Sequence, residues 1–132
     1  MKKTLILFFV SLVPLIFLWF GFNLSVHYIQ GVELLANPIV LFSIIIILFS
    51  LCYSGNKVDI VNLIGLISSI ILPLAYIYEF FTWHYTTITG EINFSVSIRT
   101  AQIGFYLGLL TSIVFAIYYI IMYRMKIKSL LE

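Results

Sequence analysis

Between residues 100 and 123 the chain runs for 24 residues without a charged side chain, and Arg124, Lys126 and Lys128 then close the run. As an α-helix at 1.5 Å per residue it would be about 36 Å long, enough to cross a hydrocarbon core of about 30 Å with some tilt. Apolar runs of the same kind precede it at 4–22, 36–53 and 60–80. Together they fill most of the 132 residues, leaving no length for an extramembrane domain. The composition agrees, with 63% hydrophobic and 9% charged residues, against about 25% charged in soluble domains. The pattern predicts an all-α membrane protein: one integral membrane domain over 1–132, built as a four-transmembrane-helix bundle. Helices are the expected solution because backbone polar groups in lipid must pair within the segment.

Charge placement predicts the topology. In a four-span arrangement Lys2, Lys3, Lys57, Arg124, Lys126 and Lys128 fall on one side and only Arg99 on the other. Cytoplasmic loops carry the excess of Lys and Arg, so both termini and the 54–59 turn are expected in the cytoplasm of a cell in its plasma membrane. The longer connections, about 23–33 and 80–98, are then external. The Met-Lys-Lys start resembles a secretory signal, but the apolar run outlasts an ordinary signal core and ends in Trp19, Phe20, Gly21 and Phe22 without a small-residue cleavage site. It reads as a retained first helix. Asn23-Leu24-Ser25 and Asn93-Phe94-Ser95 match the glycosylation sequon, which matters only in a eukaryote. The richness in Ile, Phe and Lys is associated instead with low-GC bacteria.

Local signals place the helix ends. Asn37-Pro38 is an N-cap followed by proline in the first helical position, which can move the second start to Pro38. Ser54-Gly55-Asn56 is a breaker, and Asp59 falls where a negative charge complements a helix N-terminus. Pro14 and Pro73 lie inside the first and third runs and predict kinks, because each removes a backbone donor. Trp19, Phe20, Tyr76, Tyr78, Phe80, Phe81, Trp83 and Tyr85 gather at external ends, and Tyr118, Tyr119 and Tyr123 at the internal one. They read as interfacial belts. A faint repeat at an offset of 59 aligns Pro14-Leu15 with Pro73-Leu74 and Gly31 with Gly90. It suggests two weakly repeated helical hairpins, although so biased a composition produces such matches by chance.

Two constellations stand out in the fourth run. Gly104 and Gly108 continue at four-residue spacing through Ser112 and Ala116, and Gly65 and Ser69 repeat the spacing in the third run. Small residues on one face let another backbone approach closely, which is how helices associate in a bilayer. The face could receive the third helix, a second copy of the chain or another membrane protein. At about 100° per residue, Arg99, Gln102 and Tyr106 lie on the opposite side of that helix. With Glu79 and His84 they form a candidate outer polar pocket, in which Glu79 and Arg99 are expected to pair, since a charge near lipid is costly alone.

Other chemistry is thinly represented. His27, Glu33, Glu79, His84 and Glu91 share the external side but have no metal-binding spacing, so no metal or other cofactor is expected. Cys52 is the single cysteine, which excludes an internal disulfide and leaves a buried or lipidated thiol. No nucleophile elbow, phosphate-binding loop or mid-membrane acid appears, and the scattered basic residues make no nucleic-acid patch. The expected function is non-enzymatic: an accessory, resistance or immunity-type membrane protein acting through helix contacts. The alternative is a small transporter or channel using the outer pocket.

Overall fold

The computed structural model describes residues 2–21, 28–53, 58–85 and 90–132. The Ser54-Gly55-Asn56 breaker, Lys57, His27 and the Asn23 sequon lie outside them. The order is α1 (Lys2–Leu12), a 3-10 turn (Val13–Ile16), β1 (Leu18–Gly21), β2 (Tyr28–Gln30), a second 3-10 turn (Gly31–Ala36), α2 (Pro38–Tyr53), α3 (Ile60–Thr82), α4 (Phe94–Thr100) and α5 (Ile103–Leu131). The chain is mostly helical, and α3 and α5 are long and apolar enough to cross a membrane. α1 and α2 have 11 and 16 residues, short of the roughly 20 a spanning helix needs. The expected four-transmembrane-helix bundle is therefore not confirmed, and two helices of spanning length argue against four.

The first run departs most from its prediction. It is not one kinked helix: α1 stops at Leu12, the chain tightens through Pro14 and then becomes extended. Pro14 cannot donate to the helix ladder, and other partners serve the backbone beyond it. β1 pairs antiparallel with β2 (Leu18 with Gln30, Gly21 with Tyr28), so the fold is not purely α. The fourth run is also divided. Thr100 ends α4, Phe20 bridges Ala101, and the Gln102 N–H donates to the Trp19 carbonyl at 2.8 Å before α5 begins. The strand thus takes the groups that would have continued the helix. Elsewhere the end signals hold. Asn37 Oδ1 accepts from the Ile39 N–H at 2.9 Å as α2 starts at Pro38, and Asp59 caps α3 by accepting from the Asn62 N–H.

α2 and α3 pack side by side, and α5 lies against α3 and α1. Their faces are inverted relative to a soluble helix. Ile60, Leu63, Ile67, Ile70, Leu74 and Ile77 make an exposed apolar stripe along α3. The buried stripe opposite contains Asn62, Gly65, Ser68, Ser69 and Ala75 alongside Leu72 and Tyr76. On α5, Ile103, Leu110, Ile117 and Ile121 are exposed while Gly104, Gly108, Ser112 and Ala116 are buried. A soluble fold would leave so large an exposed apolar surface unfavourably in water.

The interior also holds aromatic residues that the sequence assigns to interfacial belts. Trp19, Phe20 and Tyr76 are fully buried, and Phe80 and Trp83 nearly so. Phe20 stacks on Trp83 at 5.5 Å, Trp19 meets Tyr76 edge-on at 4.7 Å, and Phe80 stacks on Phe105 at 5.0 Å. Such pairs contribute about 0.5–1.5 kcal/mol each beyond area burial. They join the strand hairpin to both long helices.

Candidate functional site

The small-residue face of α5 is a closed joint. A Cβ at Gly108 would run into the Trp19 ring, and one at Gly104 would stand 2.5 Å from the Leu18 carbonyl oxygen. Gly31 also presses on the indole, where a Cβ would lie 2.5 Å from Trp19 Nε1. That nitrogen donates to the Pro14 carbonyl at 2.7 Å, the one polar demand the buried ring makes. Of the occupants the sequence allowed for this face (the third helix, a second copy or another membrane protein), none is what lies against Gly104 and Gly108 within the chain: Trp19 and its neighbours do. Ser112 and Ala116 continue it inward and are buried, with Ser112 Oγ donating to the Leu109 carbonyl.

Gly65 makes the equivalent joint at mid-bundle. Ser50 of α2 and Tyr119 of α5 close over it, and their hydroxyls share a 2.7 Å hydrogen bond. Ser69, fully buried one turn on, donates to the Leu66 carbonyl at 2.7 Å. Toward the other end, at the start of α3, Lys126 Nζ donates to Asn62 Oδ1 at 3.2 Å, and Asn62 Nδ2 donates to Asp59 at 2.9 Å. Sequence reading did not pair Ser50 with Tyr119 or Asn62 with Lys126, because these partners lie 69 and 64 positions apart.

The residues grouped as an outer polar pocket do not converge. Gln102 Nε2 donates to the Gly21 carbonyl at 3.0 Å and fastens the hairpin to α5. Tyr106 is half exposed on the apolar surface. His84 is fully buried, with Nε2 at 3.0 Å from Ser97 Oγ, itself buried and 3.2 Å from the Asn93 carbonyl that accepts its hydrogen. Arg99 is exposed in the last turn of α4. Among the described residues the recorded ion pair is Lys128 with Glu132, so Glu79 and Arg99 do not pair.

Glu79 has a different partner. Asn37 Nδ2 donates to its Oε1 at 2.7 Å, joining the start of α2 to the end of α3. Glu33 lies in the 3-10 turn before α2 and is held by reciprocal capping: its Oε1 accepts from the Gln30 N–H at 3.2 Å, and its own N–H donates to the Gln30 side chain. Glu33, Asn37 and Glu79 line an open groove of about 580 Å³, with Leu34, Pro38 and Tyr78 among its apolar walls. Asn37 was legible as a cap but not as a groove residue, since its second hydrogen bond crosses 42 positions. Known protein families, curated proteins and solved structures give no match to the chain.

Proposed function

We propose that the chain is a multi-pass plasma-membrane protein with cytoplasmic termini, acting without catalysis as an accessory, resistance or immunity-type protein. Its working surface is the groove at the Glu79 end. The exposed apolar faces of α3 and α5 carry the membrane reading, since lipid is the solvent in which an apolar exterior is not penalised. Four embedded segments remain compatible with two long helices. α1 and α2 run beside α5 and α3, and the irregular backbone that extends them makes hydrogen bonds within the chain, through the β1–β2 pairing and the Gln102 N–H on Trp19, as backbone at membrane depth must. Lys3, Arg124, Lys126 and Lys128 gather at one end, against Glu33, Glu79 and Glu91 with Arg99 at the other. By the positive-inside rule the groove then faces outward.

A small transporter or channel is the second reading, favoured by the groove itself. Trp19, Leu72, Tyr76 and Phe105 oppose it, being packed into the interior beyond Glu79.

Thiol labelling tests the arrangement. In a Cys52→Ser background, a membrane-impermeant maleimide should label Val32→Cys in intact cells. Lys3→Cys and Ser129→Cys should label only after permeabilisation. Labelling of Ser129→Cys in intact cells would overturn the topology, and unequal behaviour of the two terminal cysteines would require an odd number of crossings.

A further inference from the structure

The groove also has a definable ligand chemistry, an inference that rests on the outward-facing reading above. Its volume of about 580 Å³ is in the range of sites for small organic molecules. Two elements supply its carboxylates, Glu33 from the 3-10 turn and Glu79 from α3. Each has one oxygen engaged by a neutral donor, Gln30 N–H or Asn37 Nδ2. Neither is ion-paired within the described residues. The acids are therefore held in place by neutral groups.

A divalent metal is a poor match. Such ions take six or more oxygen ligands or a compact set of nitrogen and sulfur ligands. No group of three His, Cys, Asp or Glu side chains is assembled among the described residues. The walls favour an organic body instead, with Leu34, Pro38 and Ile39 beside the acids and the Tyr78 ring available to a cation. The groove borders the exposed apolar surface of α2 and α3, where Ile39, Phe42 and Leu74 are open. A ligand can satisfy the carboxylates and keep its apolar part out of water together only if it carries both features.

We infer that the groove between the 3-10 turn, α2 and the end of α3 binds lipophilic organic cations, with Glu79 and Glu33 holding the positive centre and Pro38 and Tyr78 contacting the apolar body. Sequestering such compounds at the membrane surface is a resistance activity in chemical terms.

The probe is tetraphenylphosphonium, titrated into the purified full chain in dodecylmaltoside, with tetraphenylborate as the anion of like shape. Saturable tetraphenylphosphonium binding is expected, with little for tetraphenylborate. Glu79→Gln should weaken it by about tenfold or more, as loss of a charge contact at a partly buried site does. Glu33→Gln is the companion variant, because glutamine preserves the capping hydrogen bond and hence the local fold. It should weaken binding as well, with an unchanged thermal midpoint. Equal binding of both probes, indifference to both substitutions, or displacement of the probe by micromolar Mg²⁺ would overturn the inference. Failure to bind with Val32→Cys still labelled from outside defeats the ligand alone. Binding with labelling from inside defeats the orientation alone.

Discussion

The glycine face of α5 and the groove at the end of α3 are both concave, and they differ in what fills them. At Gly104 and Gly108 the concavity is satisfied within the chain, by an indole whose N–H is itself bonded. At Glu79 the chain supplies one amide to a carboxylate and leaves the rest open. A small-residue repeat thus identifies where backbones can approach without saying which residue approaches. A charged residue held by a neutral partner marks a place where the molecule can still gain by binding something.

The largest effects should come from the closed joint. Trp19→Ala would empty the centre of the interior and should cost about 3–5 kcal/mol, the range for large aromatic truncations. Gly108→Leu meets the same ring from the other side and should prevent the joint from closing. Thermal unfolding in detergent should show both strongly destabilised, while Leu110→Ala on the exposed face changes little. Near-native stability of Gly108→Leu would mean that Trp19 can leave the face, which would then be available to a partner.

The contrast also marks how far the sequence could be read. Two apolar helices long enough to cross a membrane, the starts of α2 and α3 and the burial of Gly65, Ser69, Gly104 and Gly108 followed from local pattern, because hydropathy, capping and residue size act over one or two turns. The break after Pro14 did not. An apolar run with an internal proline reads as a kinked helix unless one knows that β2 and Gln102 will pair with the extended chain. Trp19 and Tyr76 failed for the opposite reason: aromatic side chains suit both an interface and a core, and long-range packing decides between them. The groove needed Asn37 and Glu79 to meet, which nothing local encodes.

A medium effect should separate the groove's internal hydrogen bond from its binding role. The Asn37–Glu79 contact is part-buried and charge-assisted, so a double-mutant cycle with Asn37→Ala and Glu79→Gln should give a coupling of about 1 kcal/mol. Measured in the same detergent, this lies well below the loss at Trp19. A coupling near zero would mean that solvent replaces the amide and that Glu79 is held less firmly than the groove reading requires.

The smallest effect belongs to Arg99, and it sharpens the comparison because sequence reasoning gave Arg99 to Glu79. The guanidinium is exposed in the last turn of α4, where it complements the helix C-terminus. Arg99→Gln should change stability by less than about 0.5 kcal/mol, as surface substitutions do. Combined with Glu79→Gln it should be additive within about 0.5 kcal/mol, the behaviour of sites without a shared contact. A larger coupling would mean that α4 brings Arg99 onto the Glu79 carboxylate. The groove would then hold its own cation, and the chain would have closed its second concavity as it closed the first.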